Sequence, residues 1–402
     1  MKIALIADTF PPLRSSGAVQ LRDLSREFIE QGHNITILVA SPQLPAPFIL
    51  EEFGGVQVLR LRTPKMKDVG YIRRTFAEFL MPFFMRQHYR NSSLLNSKWD
   101  AVVWYSPSIF LGPFVSYIKK TSHCPSYLII RDIFPEWAVD MGLMGKGLPY
   151  IFFKAIANYQ YSLADVIGVQ TPGNSVYFKK WLTKGTGRLE VLQNWLADSR
   201  DSGCTIRLQD SMLSGRRIFV YAGNMGVAQG IGILFRLAVA LRERSDIGFV
   251  FVGRGSYAQQ LRDDVTAHKL ENVLFYDEID PDEIPGLYSQ CDAGLVSLDP
   301  RHRSHNIPGK FLSYMQAGLP VLAAVNDGND IVHIIQSESV GYVSTDGSSD
   351  SLKAGAEKLV LDIQQSVDFK SRCKQLGARL FAPATAVKQI VTAINDLGCR
   401  NV

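Results

Sequence analysis

Ser304-His305-Asn306-Ile307-Pro308-Gly309-Lys310-Phe311-Leu312-Ser313-Tyr314-Met315-Gln316-Ala317-Gly318-Leu319-Pro320-Val321 reads as a loop, a helix and the start of a strand. The polar loop closes on Pro308-Gly309-Lys310. An apolar helical stretch runs from Phe311 to Gln316, and Ala317-Gly318 stops it just before a buried strand. Gly309 lets backbone approach a ligand closely, and the helix that begins there offers unpaired N–H groups and a positive dipole end. Lys310 adds a full positive charge at the same place. Together they suit a diphosphate. A comparable loop-to-helix transition lies near the N-terminus, from Asp8 to Gly17.

Outward from this stretch, short apolar runs alternate with amphipathic helical segments. The first series is Ile3–Ala7, Ile35–Val39, Val56–Leu61, Ala101–Tyr105, Tyr127–Ile130, Val166–Gln170 and Glu190–Gln193. The second is Ile218–Ala222, Gly248–Val252, Val273–Tyr276, Ala293–Leu298, Val321–Val325 and Gly341–Val343. Runs so short and so continuously apolar fit parallel strands covered on both faces by helices. The alternation predicts an α/β protein with two doubly wound, Rossmann-like parallel sheets. Residues 197–216 are rich in Ser, Asp, Gly and Arg and read as a linker, dividing an N-terminal domain (1–196) from a C-terminal one (217–385). From Ala386 to Leu397, Val387, Ile390, Val391, Ile394 and Leu397 share one helical face, which residues 386–402 offer to a partner surface.

A chain of 402 residues exceeds what one core usually organises, consistent with two domains. The formal net charge is +5, unevenly placed: eight Lys or Arg lie between Arg60 and Arg90 against Asp68 and Glu78. The basic residues form one patch and the total is small, which disfavours a nucleic-acid partner. Five scattered cysteines (124, 204, 291, 373, 399) read as reduced and cytosolic, and no metal-ligand spacing occurs, so we expect neither metal nor cofactor. Met1 to Ala7 is a first strand rather than a secretory leader, and no run could span a bilayer. The expectation is a cytoplasmic protein.

Candidate ligand residues fall beyond the carboxyl ends of the strands. Gly17 opens a helix after Ser15-Ser16 and reads either as a phosphate contact or as part of a capped turn. Gly223-Asn224-Met225-Gly226 follows one strand, and Gly253-Arg254-Gly255-Ser256 another. The latter is a tight turn or a ligand loop, not a dinucleotide fingerprint, because position 258 is Ala where a third glycine would stand. Arg131-Asp132-Ile133-Phe134-Pro135-Glu136 places two carboxylates at a strand end, as chemistry or as a local ion pair. His305 sits in a basic loop with Arg301, His302 and Arg303, where it is catalytic or merely solvated. Trp104, Trp137 and Trp195 either stack on sugar or fill core.

With these residues in place the chain resembles retaining glycosyltransferases of the GT-B fold, in the large family-four group. It is similar in particular to bacterial transferases that build O-antigen and capsule from N-acetylated 6-deoxyhexosamines such as N-acetylfucosamine. The resemblance rests on Phe10-Pro11-Pro12 with Gly17, Gln31-Gly32-His33-Asn34, Asp132 to Glu136, Gly223 to Gly226 with Gln229-Gly230, Gly253-Arg254-Gly255, Cys291 to Leu295, and Pro308 to Val321. It implies a nucleotide-sugar donor, UDP-linked, on the C-terminal domain, an interdomain cleft for the reacting sugar, and a C-terminal helix crossing back to the N-terminal domain. Asn306, Gly309 and Lys310 would surround the diphosphate and Ile279 would meet the base. The family's pair of glutamates is replaced by His305 and Ser313. Its diphosphate-binding Arg and Lys are replaced by Asn224 and Gln229, and Arg131 stands where a histidine is common. Arg254 and Lys310 are the nearest substitute cations.

This predicts metal-independent, front-face transfer, with Asp132 or Glu136 orienting the acceptor hydroxyl. The acceptor implied is a polyprenyl-diphosphate-linked saccharide. The basic, aromatic segment from Lys65 to Arg90 reads either as a peripheral contact with the inner, anionic membrane face or as a buried helix with snorkelling arginines. Rival readings are a sugar-nucleotide epimerase on the same fold and a nucleotide-sugar-binding protein without activity.

Overall fold

The computed structural model describes residues 1–13, 15–66, 69–182, 187–198, 203–301 and 307–398. They form two compact units, Met1–Trp195 with Pro383–Val402, and Leu196–Ala382. In unit 1 the strands are β1 (Lys2–Ala7), β2 (Asn34–Ser41), β3 (Phe48–Phe53), β4 (Val56–Arg62), β5 (Ala101–Ser106), β6 (Ser126–Ile130), β7 (Val166–Val169) and β8 (Arg188–Val191). They pair in the order β3-β4-β2-β1-β5-β6-β7-β8. In unit 2, β9 (Arg217–Ala222), β10 (Ile247–Val252), β11 (Val273–Tyr276), β12 (Ala293–Ser297), β13 (Val321–Ala324) and β14 (Gly341–Ser344) pair as β11-β10-β9-β12-β13-β14. Strand order reverses between β1 and β5 and between β9 and β12. Those reversals are where open parallel sheets bind ligands, beyond the carboxyl ends.

The central strands β1, β5, β6, β9, β10 and β12 are buried almost throughout, so helices cover both faces of each sheet. One element departs from the all-parallel expectation: β3 runs antiparallel along β4, with Phe48 opposite Leu61 and Phe53 opposite Val56. Phe48, Leu50 and the two glutamates Glu51 and Glu52 give it a mixed pattern that suits a half-exposed edge but not an apolar run. The stretch 197–216, read as a linker, is in its second half part of unit 2's core. Ile206, Leu208 and Leu213 are buried there, and Leu208 N–H donates to Gln290 Oε1 at 2.9 Å.

Helix Pro383–Gly398 belongs to unit 1. Val387, Ile390, Ala393 and Ile394 are buried in the same core cluster as Leu21, Leu24 and Phe28 of helix Ser16–Glu30. Gln389 Nε2 donates to Glu190 Oε1 at 2.9 Å and to the Val191 carbonyl at 2.8 Å, which ties the helix to β8.

In unit 2 the loops after β9 and β10 lock together backbone to backbone. Met225 N–H donates to the Arg254 carbonyl at 2.8 Å and Tyr257 N–H to the Met225 carbonyl at 3.0 Å. Gly253 has φ +140°, and a Cβ there would stand 2.1 Å from the Gly223 carbonyl oxygen. Gly-Arg-Gly is therefore a packing device that sets the rim of unit 2 and turns the Arg254 side chain outward.

Two stability tests follow from these contacts. Ile390→Ala should lower the unfolding free energy in urea by about 2–5 kcal/mol, the usual range for a buried isoleucine. Gly253→Ala should cost about 3 kcal/mol or more, because it adds a forbidden φ to a backbone clash. Gly328→Ala, at φ +77° with nothing within 4 Å, should cost only about 1 kcal/mol in the same assay.

Candidate functional site

Helix Gly309–Ala317 follows β12 and begins at the β9/β12 reversal. Its N-cap is Pro308, which supplies no side-chain cap. Gly309 needs no glycine for its own conformation: its φ is ordinary, and a Cβ there would have nothing within 4 Å. Among the described residues, that leaves open space over the first helical turn. Ser313 points its hydroxyl back at the Gly309 carbonyl (3.4 Å), within the helix.

Lys310 is half-buried, with its Nζ over the Tyr221 ring at 4.6 Å and its Cε 4.0 Å from where a Cβ on Gly223 would stand. Burial lowers its ammonium from an ordinary 10.5 to about 8. Among the described residues no carboxylate pairs with it. The ring face of Tyr221 is thus the visible compensation for the desolvated charge. Tyr221 is fixed in turn, donating its hydroxyl to the Asn224 carbonyl at 2.7 Å.

The other expected donor residues are arranged differently. Asn224 Nδ2 donates to Gln229 Oε1 at 3.2 Å, and Gly226 N–H donates to the same oxygen at 3.0 Å. The two amides that replace the family's cations thus clasp each other and shape the loop. Arg254 is largely exposed and paired with Glu278 at 2.9 Å, so it is not directed at Lys310 as a free cation. Ile279 is half-buried and packs on the unit 2 core. Asn306 and His305 lie outside the described residues.

At the carboxyl rim of unit 1, β1, β5 and β6 bring together Asp8, Tyr105, Arg131 and Asp132. Gly17 is close by: a Cβ there would touch Thr9 Cγ2 and Tyr105 Cε1 at 3.3 Å. Ser15 caps this helix through the Ala18 N–H (3.3 Å) and also contacts the Thr9 hydroxyl (3.1 Å). The glycine therefore has a packing reason of its own. Arg131 is buried and donates to the carbonyls of Leu192 (3.2 Å) and Gln193 (3.5 Å), with its guanidinium 4.3 Å from the Trp195 ring centre. Burial lowers it to about 10, so it stays charged at neutral pH beside Asp132. The Tyr105 hydroxyl is pushed far above its usual range, first by burial.

Glu136 does not share that rim position. It ion-pairs through Oε1 with Lys154 of helix Leu148–Ser162, and Tyr150 donates to the same oxygen at 3.5 Å. This arrangement favours positioning of the helix over transfer of a proton. Trp104 and Trp195 are fully buried and fill core. Tyr221 is not recognisable from sequence as the seat of Lys310, because a tyrosine within an apolar strand looks like core.

A cavity of about 400 Å³ opens elsewhere in unit 2, beyond β12, β13 and β14. Arg236, Asp299, Asn326, Asp327 and Asp346 line it with Val227, and neither Gly309 nor Lys310 does. Asp299 is held by Arg301 at 2.8 Å, and Asp346 accepts from Ser344 and Ser348. With three carboxylates it is poorly suited to a diphosphate. Among the described residues no group of three or more His, Cys, Asp or Glu could hold a metal ion.

Comparison with known proteins agrees with the unit 2 geometry. Residues 216–362 match the family described as Glycosyl transferases group 1. The chain is 26% identical over 226 residues to the probable glycosyltransferase WbjE of Pseudomonas aeruginosa, a match spanning 54% of each protein, so only about half of that relative is covered. It is 23% identical over 336 residues to the putative colanic acid biosynthesis glycosyl transferase WcaI of Escherichia coli K12, covering 79% of this chain and 82% of the relative. Anabaena HepE, solved in complex with UDP and glucose, superposes with a TM-score of 0.67 at 15% identity, over 98% of this chain and all of that one. The chain thus has the GT-B fold, and residues 216–362 of its second unit are similar to the Glycosyl transferases group 1 family.

Proposed function

We propose that the chain is a retaining glycosyltransferase that moves a sugar from a UDP-linked donor, held on unit 2, to a hydroxyl of a lipid-linked saccharide in bacterial surface-polysaccharide assembly. An N-acetylated 6-deoxyhexosamine is the donor sugar we favour. The observation that carries the reading is Lys310: a desolvated ammonium without a carboxylate among the described residues, beside an uncapped helix start with open space over Gly309. An incoming diphosphate supplies the missing counter-charge, and the first-turn N–H groups donate to its oxygens at the same place. The names of WcaI and HepE, one for colanic acid and one for a UDP complex, fit this chemistry.

As the bond from the sugar to the diphosphate breaks, negative charge grows on the leaving oxygens. Lys310 and the helix N-terminus stabilise that charge without a metal. On unit 1, Asp132 orients the acceptor hydroxyl, with the fixed charge of Arg131 beside it. Glu136, held by Lys154, serves as a positioning residue.

Lys310→Ala should reduce turnover about a hundredfold, near 3 kcal/mol, the scale for losing one charge-assisted contact to a developing anion. Unchanged turnover would remove the phosphate assignment. The pH profile has a definite sign. Below about 8 Lys310 is already protonated in the free protein. A bound diphosphate raises its pKa, so UDP affinity should be flat between about 7 and 8, where the terminal phosphate is fully ionised, and fall above that by up to about tenfold per pH unit. Calorimetry across this range checks it, and Lys310→Met should flatten the profile. Gly309→Ala separates fold from ligand. Stability should be unchanged or rise by up to about 1 kcal/mol from helix propensity, while UDP affinity drops.

A further inference from the structure

Helix Tyr71–Arg90 in unit 1 is apolar on opposite faces. Ala77, Met81, Met85 and Tyr89 point into the core and are buried. The opposite face of such a helix is ordinarily polar. Here it carries Ile72 (77% exposed), Phe76 (66%), Phe79, Leu80 and Phe83. A second exposed apolar group lies on and before helix Leu148–Ser162: Leu143 (73%), Leu148 (82%), Ile151 and Phe152. Helix Gly112–Ser122 touches both of these helices and lies in the same covering layer. Because each of the two follows a strand of the parallel sheet, β4 or β6, each starts at the carboxyl rim, where Asp132 also sits. Exposed apolar surface on this scale, on two helices of one covering layer, marks a binding surface.

The charges indicate the occupant. Arg73, Arg86 and Arg90 are exposed on the same helix and Lys65 precedes it. Its single carboxylate, Glu78, is taken by Arg74 at 2.7 Å. A second copy of the chain would set these arginines against their own equivalents, a repulsive arrangement. Aromatic side chains interleaved with arginine suit phosphate headgroups above an acyl boundary. We propose that the exposed face of helix Tyr71–Arg90, together with the exposed apolar group of helix Leu148–Ser162, docks on the surface of an anionic lipid bilayer. The proposal draws on the lipid-linked acceptor reading above, since the docked bilayer would deliver such an acceptor beside Asp132.

The test is flotation of the full chain with vesicles of equimolar phosphatidylglycerol and phosphatidylcholine, compared with phosphatidylcholine alone. Binding should require phosphatidylglycerol and weaken as salt rises. Phe76→Ser/Phe79→Ser/Phe83→Ser should lower the partition coefficient about tenfold or more, and Arg73→Glu/Arg90→Glu by a similar factor. These positions are exposed, and unaltered circular dichroism and thermal unfolding of the variants would show that unit 1 folds. Failure to float at low salt overturns the docking surface, as does flotation unaffected by both sets. A dimer that the triple variant dissolves, with no vesicle binding, assigns the surface to a second copy instead. UDP calorimetry keeps the two readings apart. Binding of UDP without flotation removes only the bilayer, whereas flotation without UDP binding removes the donor site.

Discussion

A partly desolvated positive charge is costly to hold, and Lys310 is such a charge, with no carboxylate paired to it among the described residues. Its ammonium lies over the Tyr221 ring, and burial has already drawn its pKa down to about 8. The surrounding packing fixes it there. Tyr221 lies on a central strand with its hydroxyl tied to Asn224, and Tyr314 on the lysine's own helix donates to the Val220 carbonyl at 3.0 Å. The loops after β9 and β10 meet through Gly253, which closes the rim beside this point. A ring face compensates a cation only in part. The remainder is available to an anion, and the cost of desolvation already met by folding strengthens the contact that anion makes.

Much of this was legible in the sequence. The two sheets follow from short, uninterrupted apolar runs, and the helix start at Gly309 from Pro308-Gly309-Lys310 ahead of an apolar stretch. What escaped was the meaning of residues whose patterns serve two purposes. Gly253-Arg254-Gly255 looks the same whether glycine admits a ligand or a neighbouring loop, and only the 2.1 Å approach to Gly223 separates them. Gly17 has the same ambiguity, resolved by Thr9 and Tyr105. The edge strand β3 was missed because its apolar residues are broken by Glu51 and Glu52, as an exposed edge permits. Asp132 and Glu136 read alike, four residues apart, until Lys154 from a distant helix proved to hold one of them.

On the proposed transferase reading, the neutral pair Asn224–Gln229 bears on how a donor would be retained. Where the resembling family places two cations, this loop places two amides bound to each other at 3.2 Å. Hydrogen bonds to a charged group are worth about 1.5–3 kcal/mol each, so losing two cationic contacts is a substantial loss of ground-state affinity. The same loss applies to the product nucleotide, which carries more charge than the donor. On that reading, a site with Lys310 as its one cation among the described residues, beside a helix terminus, would release its nucleotide product more readily than one with three cations. Turnover under such a regime depends on how strongly the single cation engages the diphosphate as its charge grows. Lys310, desolvated before the ligand arrives, is suited to that dependence: its interaction strengthens most when the leaving oxygen becomes fully anionic.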